Sequence, residues 1–393
     1  MVNTTHDAAP YEERGCQRAI TNADALYTAF RKSCKNSDWK PQAQRFEMFY
    51  LFELLQILQE LTERTYKLSS SSDFILRERG KERLVSGRHI RDRIAGHVLC
   101  DEVLIPSVRK YLIYDNGASL EGLGVEFARK RLVTHLGRYF RRHGNNDGYI
   151  LLIDFKKYYD NIRHDVLIEQ FSKYVHDKHA LWLLKTFIDG SVVDVSYMTD
   201  SEYMHCMNTL FSSLDYAKID KSLRTGQKWM HKHLNVGDQV NQIAGVLYPT
   251  PIDNYIKIVH GEKYYARYMD DSYIIHESKE HLKELLAEII TIADSIGITV
   301  NQNKTRICKL SDYWRFLQIQ YSLTETGRIV HKINPKRITA MRRKMKKLVN
   351  KMTAKEFSNW FASWYKSQRR YMSRLQKQGI IELYEKLTEE EYQ

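Results

Sequence analysis

The stretch YYARYMDDSYII, residues 264–275, reads as strand, turn, strand, with aromatic and β-branched residues on both sides of a short polar turn. Two adjacent carboxylates, Asp270 and Asp271, occupy that turn in a chain whose formal net charge is +13. Taken alone, an Asp–Asp turn reads as a solvated hairpin tip, because Asp bonds readily to its own backbone in turns. A third acid changes the reading. Asp154 lies about 115 residues earlier, near the end of GYILLIDF (148–155), an apolar run that predicts a short buried strand. Aspartates held at strand ends and open to solvent meet the needs of a two-cation site. Such a site aligns an attacking hydroxyl with a triphosphate across two ions about 4 Å apart. Mg²⁺ takes carboxylate oxygens together with the substrate's own phosphates, and no closed protein cage is needed.

Composition sets the outer bounds. A chain of 393 residues has room for roughly two to three domains, and 43% hydrophobic residues suffice for a core. The basic excess points to a polyanionic partner, nucleic acid first and an anionic membrane second. No run of about 18 apolar residues occurs, so no segment is expected to span a bilayer, and nucleic acid, not a membrane, is the expected partner. The opening MVNTTHDAAPYEERG is polar and carries acids, unlike a secretory signal. Cys16, Cys34, Cys100, Cys206 and Cys308 are scattered, with no CxxC pair. A cysteine zinc site or disulfide framework is therefore not expected, and a reducing cytoplasm fits best.

Along the chain, residues 22–66 predict helix. SSSSDFILRERGKERLVS predicts a hairpin, DFILRE and ERLVS, turning at Arg79-Gly80-Lys81. Residues 88–111 return to helix, and Arg163-His164-Asp165 opens another, VLIEQFSKYV. Residues 190–235 are mixed in pattern and read as an insertion or flexible subdomain. QVNQIAGVL predicts helix to about Leu247, and HLKELLAEIITIADSIGI an amphipathic helix. RFLQIQYSLTETGRIV predicts a second hairpin, and the chain from Pro335 onward is helical and basic.

With YMDD at Tyr268–Asp271 and Asp154 in place, the chain resembles the reverse transcriptases. The motifs of that family follow in order from about residue 24 to the C-terminus. The implied fold class is α+β, a right-hand polymerase with fingers, a palm of antiparallel sheet plus helices, and a helical basic thumb. The expected boundaries are an N-terminal extension (1–23), fingers and the start of the palm (24–147), the palm (148–320) with its insertion, and a primer-grip hairpin with thumb (321–393). DFILRERGKERLVS resembles the fingers hairpin, with Arg77 and Arg83 where the family places two phosphate ligands. Guanidinium suits that role through bidentate bonding; without the resemblance the hairpin is an exposed charged ribbon. IDFKKYYDNIRHDVL resembles the first catalytic motif. It implies Asp154 and the Phe155 carbonyl as metal ligands beside Asp270 and Asp271, and Tyr159 as the ring that excludes a 2′-hydroxyl. The other reading of Tyr159 is core packing.

VGDQVNQIAG resembles the motif before the helix under the templating base, with Gly237 and Gln242 matching and Asn241 where many relatives have serine. Lys304 in NQNKTRI resembles the lysine near the leaving pyrophosphate, although a solvated strand-end lysine fits the sequence as well. RFLQIQYSLTETGRIV resembles the primer grip, with Gln318 replacing a usual glycine. The resemblance implies two Mg²⁺ ions, for which Mn²⁺ can substitute. It also implies dNTPs, an RNA template and a DNA product.

RDRIAGHVLCDEVLIP, RYMDD and LTETGRIV are most similar to bacterial enzymes of the diversity-generating-retroelement and defence-associated types. Those imply a structured non-coding RNA partner, a bacterial cytoplasm and a role in antiphage defence or in diversification. An accessory protein or a homo-oligomer is compatible with this. In the C-terminal region Lys336, Arg337, Arg342, Arg343, Lys346 and Lys347 predict a basic surface for a nucleic-acid backbone. Trp360 and Trp364, one helical turn apart, read as packed core. Two readings compete with templated synthesis: an RNA-binding scaffold or maturase without essential catalysis, and a template-independent or protein-primed polymerase.

Overall fold

A computed structural model describes residues 19–35, 37–78, 80–389 and 392. Most of the expected N-terminal extension, with Cys16, lies outside the described residues, as does Arg79 of the first hairpin. The architecture combines helices with antiparallel sheets, as expected for an α+β chain.

Helices α1 (Ala23–Cys34), α2 (Pro41–Met48) and α3 (Tyr50–Thr62) replace the single helical stretch expected at 22–66. Pro41, whose ring suits a first turn, starts a new helix after the Lys40 cap. Strands β1 (Ser72–Glu78) and β2 (Lys81–Gly87) form a two-stranded ribbon, followed by α4 (Ile90–Val98). The long helix α5 (Val125–His143) leads into β3 (Tyr149–Ile153), and α6 (His164–Ser172) and α7 (Lys178–Asp189) follow.

Residues 190–235, expected as an insertion or flexible subdomain, form an ordered small unit. Two short strands, β4 (Val193–Asp194) and β5 (Trp229–Met230), flank α8 (Asp200–Asn208). Val193, Val195, Phe211 and Met230 make a core of its own. Lys232 locks this unit from below: it is buried, and its ammonium donates to the carbonyls of Cys206, Met207 and Thr209 (3.1, 3.0 and 2.6 Å) at the end of α8. A helix C-terminus leaves these carbonyls unsatisfied, and a cation is favourable there.

The centre of the molecule is a four-stranded antiparallel sheet, order β6-β7-β3-β8, with β6 (Tyr265–Tyr268), β7 (Asp271–His276) and β8 (Arg306–Lys309). It separates two hydrophobic cores. Leu151 and Ile153 of β3 face the first, together with Ile274; Ile150 and Leu152 face the second, with Tyr273 and Ile275. A strand buried on both faces has no polar side, which is why YILLI reads as a continuous apolar run. The first core is closed by α9 (Gln239–Leu247) and by α10 (Lys279–Ser295), whose Leu282, Leu285, Ile289 and Ala293 recur at helical spacing.

The second core is closed by α5, by strands β9 (Trp314–Phe316), β10 (Ile319–Leu323) and β11 (Ile329–Ile333), and by α11 (Pro335–Leu348), α12 (Ala354–Gln368) and α13 (Arg374–Thr388). The expected second hairpin is thus a three-stranded sheet, order β11-β10-β9. Trp360 and Trp364 pack against this core.

Candidate active site

The register of the central sheet builds the site. Ile153 of β3 pairs with Ser272 of β7, so the next position outward sets Asp154 opposite Asp271. Directly opposed residues in an antiparallel pair lie about 4.5–5.5 Å apart at Cα. The turn between β6 and β7 is held in shape by a buried ion pair. Arg267 donates to both Asp253 oxygens (2.9 and 2.6 Å), to the Val246 carbonyl (2.9 Å) and to the Met269 carbonyl (3.3 Å). Met269 itself takes a left-handed conformation, φ 55°, an unusual state for a non-glycine residue. Sequence reasoning missed Arg267 as a positioning residue, although an arginine inside an apolar strand signals a buried acid partner.

Burial and mutual repulsion then act on the acids. Asp271 is pushed up to about 7, first by burial and then by Asp270 and Asp154. Asp270 is raised as well, by burial and then by Asp154. Half-buried like charges that repel one another in this way disfavour ionisation unless a cation joins them. Part of that demand is met by Lys304, which reaches both Asp154 oxygens at 2.7 and 2.8 Å. Asn301 donates to Asp154 Oδ1 at 2.8 Å, and the Asn301 backbone N–H to the Asp154 carbonyl at 2.7 Å. Asn301 was not singled out from NQNKTRI; its signal is an Asn-rich turn three residues before the lysine. Phe155 is buried behind Asp154 and bridges to Val300.

The donor set is oxygen-rich and short of positive charge, so its chemistry fits divalent metal ions with oxygen preference. Asp154, Asp271 and Lys304 line one cavity of about 290 Å³, together with Leu317. Leu317 and Gln318 form the β9–β10 turn with φ 43° and 75°, so Gln318 takes the left-handed conformation that a glycine would hold without strain. Arg129 of α5, a further residue not singled out, fixes this turn by donating to the Leu317 carbonyl at 2.7 Å.

Tyr159 flanks the aspartates. Its hydroxyl lies 3.9 Å from Met269 Sδ, and burial followed by Asp270 raises its pKa. The ring lies over Gly245 of α9, where an added Cβ would meet the phenol oxygen at 2.8 Å. Gly237 sits at φ 142°, and a Cβ there would lie 2.7 Å from the Ser86 carbonyl of β2. It thereby seats the ribbon against the loop before α9. Asn241 is buried and donates to the Asn235 carbonyl (2.9 Å), Asp238 Oδ2 (3.0 Å) and Ser191 Oγ (3.2 Å). It ties the small unit to the central body, which a serine hydroxyl with one proton could not do. Gln242 opens onto a different cavity, of about 320 Å³, shared with Asp92, His97 and Gln239.

The ribbon divides the two expected arginines. Arg77 pairs across with Glu82, Arg83 with Leu76, so they project from opposite faces. Arg77 is spent on Glu82 at 2.8 Å. Arg83 shares its face with Lys81, and these two cations exert a favourable field on Asp270 and Asp271, respectively. Lys81 was legible only once the register was known. On α11, Ile338, Met341 and Met345 turn inward. Lys336, Arg342, Arg343, Lys346 and Lys347 are exposed and make no ion pair among the described residues, while half-buried Arg337 approaches the Gln318 carbonyl at 3.5 Å.

Residues 124–321 match the family described as reverse transcriptase (RNA-dependent DNA polymerase). No curated protein sequence matches the chain. Among solved structures, apo telomerase from Candida tropicalis is similar at 14% identity and TM-score 0.41, over 67% of this chain and 48% of that one. Telomerase from Candida albicans in complex with a TWJ fragment of telomeric RNA is similar at 11% identity and TM-score 0.43, over 88% and 64%. Candida tropicalis telomerase truncated from its C-terminal domain gives 13% identity and TM-score 0.40, over 71% and 60%. This chain thus spans about half to two thirds of the length of those telomerase chains.

Proposed function

Because the chain belongs to the reverse transcriptase (RNA-dependent DNA polymerase) family, we propose that it extends a primer with deoxynucleotides along an RNA template, using two Mg²⁺ ions. The observation that carries this reading is the convergence of Asp154, Asp270 and Asp271 at one end of the central sheet, under a shared charge deficit. Asp154, Asp270, Asp271 and the Phe155 carbonyl would hold the ions. Bound there, divalent cations activate the primer hydroxyl and neutralise charge developing on the triphosphate.

The protein's own groups do the rest. Lys304 is placed to exchange Asp154 for the leaving pyrophosphate once that carboxylate is taken by metal. Arg83 and Lys81 face the triphosphate, and Arg77 serves from the ribbon's other face once released from Glu82. Tyr159, backed by Gly245, closes the space at the sugar's C2′. Leu317 and Gln318 hold the primer end, and Gln242 contacts the templating side. In this reading the ribbon belongs to the fingers, the central sheet to the palm and α11–α13 to the thumb. The exposed bases of α11 support a nucleic-acid backbone as partner, and the sequence resemblance a structured non-coding RNA. The sequence resemblance supports a bacterial cytoplasm and a role in antiphage defence, with diversification as the alternative.

The test is primer extension on an RNA template with dNTPs and Mg²⁺. The expected result is templated product that falls by at least about 10³-fold in Asp270→Asn. Tyr159→Ala should raise ribonucleotide incorporation by roughly 10–200-fold, the range of a steric discrimination of about 1–3 kcal/mol. Extension unchanged in Asp270→Asn would sink the proposal. Product without complementarity to the template would move the reading to untemplated synthesis.

A further inference from the structure

We propose that His164, Asp189 and His231 bind a single transition-metal dication, Zn²⁺ first, which fastens the 190–235 unit to the helices beside the central sheet. One ligand atom from each residue lies within 4.8 Å of the other two. Zinc bonds of about 2.0–2.1 Å in a tetrahedron place donors about 3.3 Å apart, so small side-chain rotations close the set.

His164 carries the argument. It is buried at the start of α6, and its Nε2 lies 2.6 Å from the His233 carbonyl. A carbonyl can only accept, so Nε2 bears the proton and Nδ1 keeps a bare lone pair. That Nδ1 is buried and has no partner. A histidine that donates one ring nitrogen to a backbone carbonyl and offers the other is the arrangement of a metal ligand. An acceptor left unpaired in the interior is otherwise costly.

The other two ligands are held beside it. The His164 backbone N–H donates to the His231 carbonyl at 3.1 Å, and the two rings stand edge to face with centroids 5.8 Å apart. Asp189 ends α7, where the helix dipole favours a cation. Lys185 competes for its carboxylate at 2.7 Å, in an exposed i,i+4 pair, an interaction of small worth. A second trio, Glu262, His276 and His281, differs: His281 already bonds Glu262 at 2.6 Å, and His276 Nδ1 already accepts the Ser278 N–H at 3.0 Å.

Two imidazoles and one carboxylate select Zn²⁺, Co²⁺ or Ni²⁺ over Mg²⁺. The ligands come from α6, from the end of α7 where the unit departs, and from the segment after β5 where it returns. The ion would therefore act as a clasp at the unit's base, apart from the aspartates.

Purified protein is equilibrated with Zn²⁺ in excess Mg²⁺, which occupies the aspartates, and then desalted for elemental analysis. Binding is also followed through the visible absorption of a Co²⁺ adduct. The wild type should retain one Zn²⁺ per chain, and Zn²⁺ should protect residues 190–235 from limited proteolysis. His231→Ala, at an exposed position that leaves the His164–His233 bond intact, should bind at least about tenfold more weakly, the lower end of what even outer-shell partners cost. Asp189→Asn should weaken binding in the same direction, and His276→Ala should leave it unchanged. No retained metal, equal affinity in a folded His231→Ala variant, or loss in His276→Ala would each overturn the proposal.

Discussion

At the scale of single residues, the end of the sheet that carries the three aspartates is assembled against its own stability. Asp271 ionises near 3.8 in a solvated chain and near 7 in the fold, raised by burial, Asp270 and Asp154. Between those values the folded state holds more protons than the unfolded state. Without metal, stability is therefore highest below about pH 4 as far as this group is concerned, and falls as pH rises towards 7. EDTA-treated Asp271→Asn should melt higher than wild type at neutral pH, by about 1 °C per kcal/mol regained, with a flatter profile from pH 4 to 7. Melting curves of the two proteins check this; parallel profiles would show that Asp271 is not the titrating group. The position of the three aspartates at strand ends was legible in sequence because apolar or aromatic strand residues flank them. Lys81, Asn301 and Arg129 were not, since their roles depend on register and on contacts across long stretches of chain.

At the scale of elements, strands and long amphipathic helices announced themselves, and turns did not. RFLQIQYSL reads as one strand because nothing in it is Gly or Pro. The chain nevertheless reverses at Leu317-Gln318, both at positive φ. Arg129 and the packing of Phe316 and Ile319 impose that turn, so tertiary contacts override local preference. Glycine in place of Gln318 should leave stability equal or higher. Valine, whose branched Cβ tolerates positive φ poorly, should cost about 1–3 kcal/mol. Urea denaturation of the two variants decides; equal midpoints would mean the turn is not left-handed. Residues 190–235 resisted reading for a related reason. Their order comes from a buried lysine capping α8 and a core of four residues, neither of which has a periodic signature.

At the scale of the whole molecule, the +13 charge is unevenly used. On the outward face of α11, Lys336, Arg342, Arg343, Lys346 and Lys347 are exposed with no ion pair among the described residues. Replacing Lys346 and Lys347 with Gln should weaken RNA binding without changing sequence preference. It should reduce the slope of log affinity against log salt by about 1 for each phosphate that a lysine no longer neutralises. Fluorescence anisotropy at several salt concentrations measures this, and an unchanged slope would remove α11 from the interface.

The placement of β3 has a further consequence. It is hydrogen-bonded on both sides, to β7 and β8, and sends alternate side chains into two separate cores. Either core can loosen locally while the other holds the strand. Under EX2 conditions the amides of Leu151 and Leu152 should thus exchange with deuterium only through global unfolding, while α1–α3 and α11–α13 report independent, cheaper openings. The strand that presents Asp154 would then be the slowest clock in the protein, and the outer helices its fastest.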